Sequence, residues 1–380
     1  MKKGILLILL PFILAGCGGN IATPADSYHL IVEDDISEDT SYMEGIALSG
    51  TNFPDDEFRR FLQDEKDTNG NDSLDEDELE GCSYIFPSDE YCIRDFTGIE
   101  LIPTVRHISF IGSGYFELTE KGHKYINEEN YHLDCLDLSN NNEIVDLKME
   151  NVVIDKDSKV AINDTLKKLE IVESDIKDID LSNYSSLRVL MLQSDYFLKN
   201  IDLSKLTELE DLSLNGDIKI KDIDLSMLNN LETLDITGVD TKILNLENNP
   251  KLINVNCSGG DKALTGKDKG NISEIIFPND CKIENLNCSS NDIEVLNIRS
   301  LPCLEVLDCS NNKIGILDFS DSPNIFAVTC TNNDIQALNI TDTVIANNFI
   351  KGGRLSLWAD DGITVAIGAE LYAYPDDLME

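Results

Sequence analysis

Apolar residues recur at fixed intervals through most of the chain. In the stretch LEVLDCSNNKIGILDFSDSPN (304–324), apolar side chains occupy the first, fourth and sixth positions, and polar residues occupy the second and fifth. The stretches 283–303 and 325–340 align with it without gaps, and the register continues upstream at a period of 21 to 22 residues. Because side chains two apart on a strand point the same way, each unit predicts a short strand with one buried side.

The register also locates the earlier units. Their first residues are Leu166, Leu187, Leu209, Leu231 and Leu252, and two more units are predicted to begin at Leu133 (LDCLDLSNN) and, with a weaker match, at Val105 (VRHISF). The units at Leu133 and Leu252 are lengthened by insertions. No unit can bury its apolar side alone, so we expect the strands of successive units to stack in parallel.

The pattern Leu-x-x-Leu-x-Leu-x-x-Asn at this period resembles the leucine-rich repeat, over roughly residues 105–345. The apolar spacing in the second half of each unit, as in IGILDF (314–319), resembles a short bacterial variant with extended segments on both faces. The resemblance implies a β-rich solenoid of parallel strands over 101–348, with about nine to ten repeats. Asparagine at the ninth position is expected to donate to main-chain carbonyls in the bend after the strand, at Asn141, Asn291, Asn312 and Asn333.

The cysteines differ in their place in the repeat. Cys257, Cys288, Cys309 and Cys330 share the sixth, inward position, where other units carry Leu or Ile. We predict that they act as small buried hydrophobes, because residues in a line along the stack do not make a tetrahedral metal site. Two pairs, Cys82 with Cys92 and Cys281 with Cys303, are candidate disulfides with the free-thiol alternative open. Cys135 falls at an outward position and is predicted to be an accessible thiol.

The segment 51–100 precedes the repeats and is predicted to form a small helical cap. Phe58, Phe61 and Leu62 share one face at helical spacing. The stretch DTNGNDSLDEDE (67–78) that follows resembles the calcium loop of an EF-hand. Carried over by position, the resemblance implies a structural calcium ion held by Asp67, Asn69, Asn71, Ser73, Asp75 and Glu78, with Ser73 contributing its main-chain carbonyl.

One residue departs from that calcium-loop pattern. Asp72 stands where glycine is expected, and aspartate adopts the left-handed backbone only at a cost. An acidic helix–turn–helix segment without a bound ion therefore remains the alternative interpretation. If calcium binds, we expect modest affinity.

The two ends of the chain have different patterns. Residues 1–16 combine Lys2, Lys3 and a short apolar run, and are typical of an export signal. The sequence Leu14-Ala15-Gly16-Cys17 resembles the lipobox of bacterial lipoproteins, which implies lipid attachment at Cys17. Residues 17–50 are predicted to be a flexible acidic tether. Residues 349–380 lose the repeat and alternate like strands, so a β-rich C-terminal cap is expected there.

The composition and motifs of the chain limit the classes of function and partner that it can have. The formal net charge of −41 disfavours a nucleic-acid partner. The sequence contains no HExxH, nucleophile elbow or phosphate loop, so it favours binding over catalysis. The outward fifth positions are predicted to form a column: Asp137, Glu170, Met191, Ser213, Asp235, Asn256, Asn287, Asp308 and Thr329. Lys168 and Arg188 are expected beside this column, and with Met191 they form a candidate partner-binding patch.

These observations predict a monomeric protein on the bacterial cell envelope, surface-exposed and attached to the membrane only by its lipid. The resemblance implies protein–protein or host-surface adhesion, as in internalin-like proteins. Glycan or mucin binding is an alternative, but few aromatic residues fall in the predicted columns. A structural envelope component is a further alternative.

Overall fold

The computed structural model describes residues 45–112, 115–119, 122–126, 132–154, 156–176, 179–193, 201–215, 220–259, 270–351, 357–361, 363–367 and 370–373. All of them belong to one unit, Met43–Glu380. The predicted signal segment 1–16, Cys17 and most of the tether 17–50 lie outside the described residues.

Short strands account for most of the regular structure. In chain order they are β1 (Ile46–Ala47), β2 (Ser73–Leu74), β3 (Tyr84–Ile85), β4 (His107–Ile111), β5 (Tyr115–Thr119), β6 (Gly122–Ile126), β7 (Cys135–Leu138), β8 (Asp146–Glu150), β9 (Val153–Ile154), β10 (Lys159–Ile162), β11 (Lys168–Val172), β12 (Asp175–Ile176) and β13 (Val189–Gln193). They continue with β14 (Asp211–Asn215), β15 (Thr233–Asp235), β16 (Ile243–Asn245), β17 (Asn254–Asn256), β18 (Glu274–Ile276), β19 (Asn285–Asn287), β20 (Val306–Asp308), β21 (Ile316–Asp318), β22 (Ala327–Thr329), β23 (Ala337–Asn339), β24 (Leu357–Trp358), β25 (Thr364–Ile367) and β26 (Glu370–Ala373).

Three α-helices occur among the described residues: α1 (Asp56–Glu65), α2 (Glu76–Gly81) and α3 (Val344–Ile350). Two short 3₁₀ turns span Ile99–Leu101 and Ile298–Ser300. None of the helices in the described part has the length and apolar character that crossing a membrane requires.

One sheet of twelve parallel strands, here called the main sheet, runs along the stack of repeats in the order β24-β22-β20-β19-β17-β15-β14-β13-β11-β8-β4-β3. Each of these strands alternates buried and partly exposed residues, as the repeat pattern predicts. Shorter strands on the opposite side of the repeats form the back sheets, including β16-β18 and β21-β23-β25-β26. The predicted stack of parallel strands is confirmed.

One predicted unit is placed differently. The stretch beginning at Leu133 supplies β7, which pairs with β10 outside the main sheet. The main-sheet strand of this region is β8, between β4 and β11. The unit therefore begins at Ile144, with Leu147 and Met149 buried at its fourth and sixth positions. Asp137 consequently does not belong to the fifth-position column of the main sheet.

The helical segment joins the repeats through a row of aromatic rings. The Asp55 carboxylate starts α1 by accepting from the backbone N–H groups of Glu57 and Phe58, both at 2.9 Å. The ring of Phe58 lies 5.1 Å from that of Phe96, which in turn lies 4.8 Å from the ring of Phe110 on β4. These buried rings connect α1 to the first long strand of the main sheet.

The C-terminal segment adds strands to the main sheet and to one back sheet. The predicted boundary at 349 falls within α3. Beyond it, β24 adds the last strand of the main sheet beside β22. β25 continues the back sheet beside β23, and the antiparallel strand β26 lies at its edge. Strands from this segment therefore extend the neighbouring sheets.

Candidate functional site

The outward fifth positions of the main sheet form one continuous column. The pairing register joins Glu170 to Met191, Met191 to Ser213, and so on through Asp235, Asn256, Asn287, Asp308 and Thr329. At the N-terminal side the column continues into Lys148 and Ser109 instead of the predicted Asp137. All of these side chains are partly exposed. The column, with the residues directly beside it, is called the strand face below.

The predicted patch of mixed charge lies in the first half of the strand face. Lys168 and Glu170 point the same way on β11, and Lys168 Nζ lies 3.1 Å from Glu170 Oε1. On β8 the Lys148 and Glu150 side chains approach to 3.3 Å. Arg188 precedes β13 and reaches Glu210 at 3.6 Å, so it lies beside the column. The charges in this patch are therefore largely paired within the sheet.

Aromatic residues lie at both ends of the strand face. Tyr84 on β3 stacks on His107 with 4.6 Å between ring centroids and an interplanar angle of 6°. Phe86, directly after β3, approaches Tyr84 edge-on and is 44% exposed. At the other end Trp358 pairs with Thr329 and is 45% exposed. From the sequence, Trp358 is predicted to belong to the C-terminal cap, with ligand stacking as the minor alternative. Sequence reasoning missed Tyr84 and Phe86 because β3 lies outside the recognisable repeats.

The four inward cysteines are buried, as their register predicts. Cys257, Cys288, Cys309 and Cys330 are each no more than 1% exposed. Burial raises the pKa of the Cys257 and Cys330 thiols to about 12. It also raises the pKa of Cys288 and Cys309 well above the ordinary value, with smaller contributions from neighbouring thiols of the same row. These thiols fill the core where other units carry Leu or Ile.

The remaining described cysteines are free thiols as well. Cys82 is buried and Cys92 exposed, and no disulfide links them in the structure. Cys281 is buried and Cys303 partly exposed, again without a disulfide. Burial raises the pKa of the Cys82 thiol to about 11. Cys135, predicted to be outward, is partly exposed on β7.

The loop 67–78 connects α1 to α2 and wraps around two carboxylates. Asp67 Oδ1 accepts from the Gly70 N–H at 2.7 Å, and its Oδ2 accepts from the Asp72 N–H at 2.8 Å. Glu78 Oε1 accepts from the backbone N–H and the hydroxyl of Thr68 at 2.8 and 2.9 Å. Its Oε2 accepts from the Asp75 N–H at 3.0 Å.

Backbone conformation in this loop follows the calcium-loop pattern. Asp72 has φ +60°, so it adopts the left-handed backbone that the glycine of the pattern would adopt. Leu74 is fully buried, and its strand β2 pairs with β1. No three carboxylate, imidazole or thiol groups in the described chain converge as a metal site would require. A cation here would therefore depend on amide and main-chain oxygens as well.

No family model matches the chain, and no curated protein matches it. Among solved structures, the functional domain of InlJ from Listeria monocytogenes, which includes a cysteine ladder, aligns with a TM-score of 0.51 and 18% identity. The alignment covers 84% of this chain and 62% of that domain, so the chain spans less than two thirds of it. The similarity shows that the chain has the leucine-rich-repeat fold of internalins.

Two further solved structures align less closely. An internalin from Listeria monocytogenes, InlF, aligns at 16% identity with a TM-score of 0.48, over 84% of this chain and 94% of that one. A leucine-rich-repeat protein from Leptospira interrogans aligns at 17% identity with a TM-score of 0.43, over 76% of this chain and 80% of that one.

Proposed function

We propose that the chain is a bacterial surface protein, anchored by lipid, that binds a protein or host-surface ligand through its strand face. The continuous, partly exposed column of the main sheet carries this proposal. It offers a broad surface of polar side chains, with Met191 beside the Lys168–Glu170 pair. A polar surround with an apolar side chain at its centre is typical of protein-binding surfaces.

The test is a pull-down from host and bacterial surface extracts with the full chain and a variant combining Lys168→Glu, Arg188→Glu and Met191→Lys. We expect the variant to lose the captured ligand. Lys159→Glu and Lys251→Glu, outside the main sheet, serve as charge controls and should retain it. Retention by the strand-face variant would contradict the proposal.

Glycan binding is a second candidate, favoured by the aromatic side chains at the two ends of the strand face. Tyr84, Phe86 and Trp358 are each about half exposed, and sugar rings pack on such side chains. Glycan-array binding that disappears in Phe86→Ala and Trp358→Ala, but persists in the Met191→Lys variant, would favour this candidate over protein binding.

We also propose that the loop 67–78 binds calcium in a structural role. The Nδ2 atoms of Asn69 and Asn71 both donate hydrogen bonds to Asp75 Oδ2, at 2.9 and 3.0 Å. Rotation of these carboxamides would present their oxygens to a cation, in exchange for the hydrogen bonds that the Asn71 and Ser73 N–H groups now donate to those oxygens. Asp67, the Ser73 carbonyl and Glu78 would complete the oxygen ligands.

Calcium binding is tested by thermal unfolding with and without excess calcium. We expect the melting temperature to rise, because a ligand that binds only the folded state stabilises it. The Asp67→Ala variant should lose this response, whereas Asp361→Ala, an exposed aspartate far along the chain, should keep it. An unchanged melting temperature in the parent chain would exclude the site.

Lipid attachment at Cys17 is the part of the proposal that rests on sequence alone. Metabolic labelling with a fatty-acid analogue should mark the parent chain but not Cys17→Ser. Detergent-free fractionation should move the variant from the membrane to the soluble fraction. Label on the Cys17→Ser chain would contradict the assignment.

A further inference from the structure

The back side of the repeats contains a break between two sheets. Among the described residues β18 pairs only with β16, and the next back sheet begins at β21. The intervening unit, 283–303, crosses this region through 294–297, which forms no strand. Within the described chain, the backbone N–H groups of Glu294, Val295 and Leu296 have no hydrogen-bond partner. One edge of β18 therefore faces a segment with unused main-chain donors.

A groove of about 1140 Å³ lies along this break. We call it the back groove; its lining includes Lys242, Glu274, Ile275, Phe277, Val295 and Lys313. It is separate from the strand face, since β18 and the segment 294–297 lie outside the main sheet.

The apolar core is incompletely covered inside the back groove. Phe277 is only partly buried, although its counterparts in the adjoining units, Leu246 and Ile298, are 0% and 3% exposed. Ile275 is likewise partly buried, whereas Leu244, its register partner on β16, is 1% exposed. Val295 at the rim is 80% exposed. The groove thus presents apolar surface that an added apolar side chain would cover.

Carboxylates outnumber lysines around the groove, so its excess charge is negative and favours a basic partner: the lining holds Asp222, Asp240, Glu274, Asp292 and Glu294 against Lys221, Lys242 and Lys313. Glu274 and Glu294 are exposed and form no ion pair with other described residues. Lys313, which interacts electrostatically with Glu294, is paired with Asp292 at 3.0 Å. A net charge of −41 on the chain strengthens this preference.

We propose that the back groove receives an extended peptide of a partner protein, which adds as a strand to the open edge of β18. Its main chain would hydrogen-bond β18 and those N–H groups of 294–296 that point toward β18. Side chains alternate along a strand, so an apolar residue would face Ile275 and Phe277 while its basic neighbours lie beside Glu274 and Glu294. This inference does not depend on the ligand proposed for the strand face.

The experiment measures binding of a fluorescent peptide of alternating lysine and valine, about eight residues long as strands usually are, to the full chain. We expect saturable binding that Glu274→Lys with Glu294→Lys weakens at least about tenfold. Both positions are exposed, so the variants should fold. The matched control Glu208→Lys, with Glu247→Lys, makes the same change in net charge at exposed sites outside the groove and should leave the affinity unchanged.

Hydrogen exchange with the peptide bound separates strand addition from simple charge attraction. We expect new protection at the amides of 294–296 and β18, with none along β11 and β13. Equal weakening by both double variants, or protection confined to the strand face, would overturn the proposal. So would concentration-dependent self-association that disappears in the groove variant, because the occupant would then be a second copy of the chain.

Discussion

The asparagines after the main-sheet strands act as buried connectors between units. Asn312 Nδ2 donates to the carbonyls of Cys288, Cys309 and Ser310 at 3.0 to 3.2 Å. Its Oδ1 accepts from the Ile293 N–H at 3.0 Å. Asn291 and Asn333 repeat these contacts one unit to either side. One side chain thus links main-chain groups of two successive units, and it supplies the acceptor for the buried Ile293 N–H.

Replacing Asn312 with alanine should lower the free energy of unfolding by about 2 kcal/mol or more. The buried Ile293 N–H would lose its partner, and the carbonyls of Cys288, Cys309 and Ser310 would each lose one of two donors. An unsatisfied buried group costs about 1 to 3 kcal/mol, and the lost carbonyl contacts add to this cost. Urea unfolding measures the change. Asn297→Ala is the control: Asn297 is exposed and donates only to the Ser300 hydroxyl, so a change below about 0.5 kcal/mol is expected. Equal effects in the two variants would contradict the connector role.

Burial also predicts how the thiols react. The thiolate is the reactive form, and burial raises the pKa of Cys330 and Cys257 to about 12. We expect a disulfide reagent at pH 8 to modify the exposed Cys92 first in the folded chain. The four inward cysteines should react only after urea unfolding. Mass spectrometry of peptides identifies each site, and Cys92→Ser should remove the fast phase. Rapid labelling of Cys309 in folded protein would show that the row is accessible.

At the scale of the elements, the loop 67–78 links the ionisation of the Glu78 carboxylate to the stability of the fold. The Asp75 N–H donates to the Glu78 carboxylate and lowers its pKa, an effect reinforced by Thr68 and Asn69 and opposed by burial. A lowered folded pKa means that the ionised carboxylate stabilises the fold. That stabilisation is present above the unfolded pKa of about 4.3 and is lost as the pH falls through the folded value.

Glu78→Gln should therefore destabilise the calcium-free chain at pH 7 by about 1 to 3 kcal/mol, because charged hydrogen bonds are replaced by weaker ones. The difference between parent and variant should shrink as the pH falls below the unfolded pKa and then through the lowered folded pKa, because only below the folded pKa is Glu78 protonated in both states of the parent. Thermal unfolding across pH 3 to 7, roughly the range that spans both carboxylate states, measures it. Glu76→Gln, exposed at the start of α2, is the control. A difference that persists at low pH would exclude ionisation as the cause.

The repeat pattern predicts the main sheet well where units match the consensus, but not where two apolar stretches compete. LDCLDLSNN matches the consensus more closely than IVDLKME, because Met149 takes the sixth position of the true strand. Only the repeat period identifies which stretch supplies the main-sheet strand, because Ile144 lies one repeat before Leu166. Asn141 accordingly donates to the Ile99 and Ile102 carbonyls, as Asn249 does in a later unit, in the bend after a back strand.

The candidate sites were only partly predictable for a related reason. Fifth-position residues follow directly from the alternation of side chains along a strand. Tyr84 and Trp358 join the same face through strands of two residues, too short to show a period. The back groove arises from the absence of strand pairing at 294–297, which depends on how neighbouring units pack. Local sequence does not encode that pairing.

At the scale of the whole molecule, acidic charge is the dominant property. The formal net charge of −41 makes the folded state repel itself, since folding brings like charges together. The described ion pairs on the strand face involve only a few of the 71 acidic residues. Salt shortens the Debye length, the distance over which charges repel, from about 30 Å at 0.01 M to about 8 Å at 0.15 M. Salt should therefore stabilise this fold, although it weakens the individual surface pairs.

We expect the melting temperature to rise by several degrees when sodium chloride is raised from about 0.01 to about 0.15 M. The variant with Glu65→Lys, Glu208→Lys and Glu247→Lys should show a smaller rise, because these exposed substitutions reduce the net negative charge. Calorimetry with EDTA throughout keeps calcium from contributing. If salt lowered the melting temperature of the parent chain, the surface ion pairs would outweigh the overall repulsion, and the acidic surface would have to be understood as a set of local pairs.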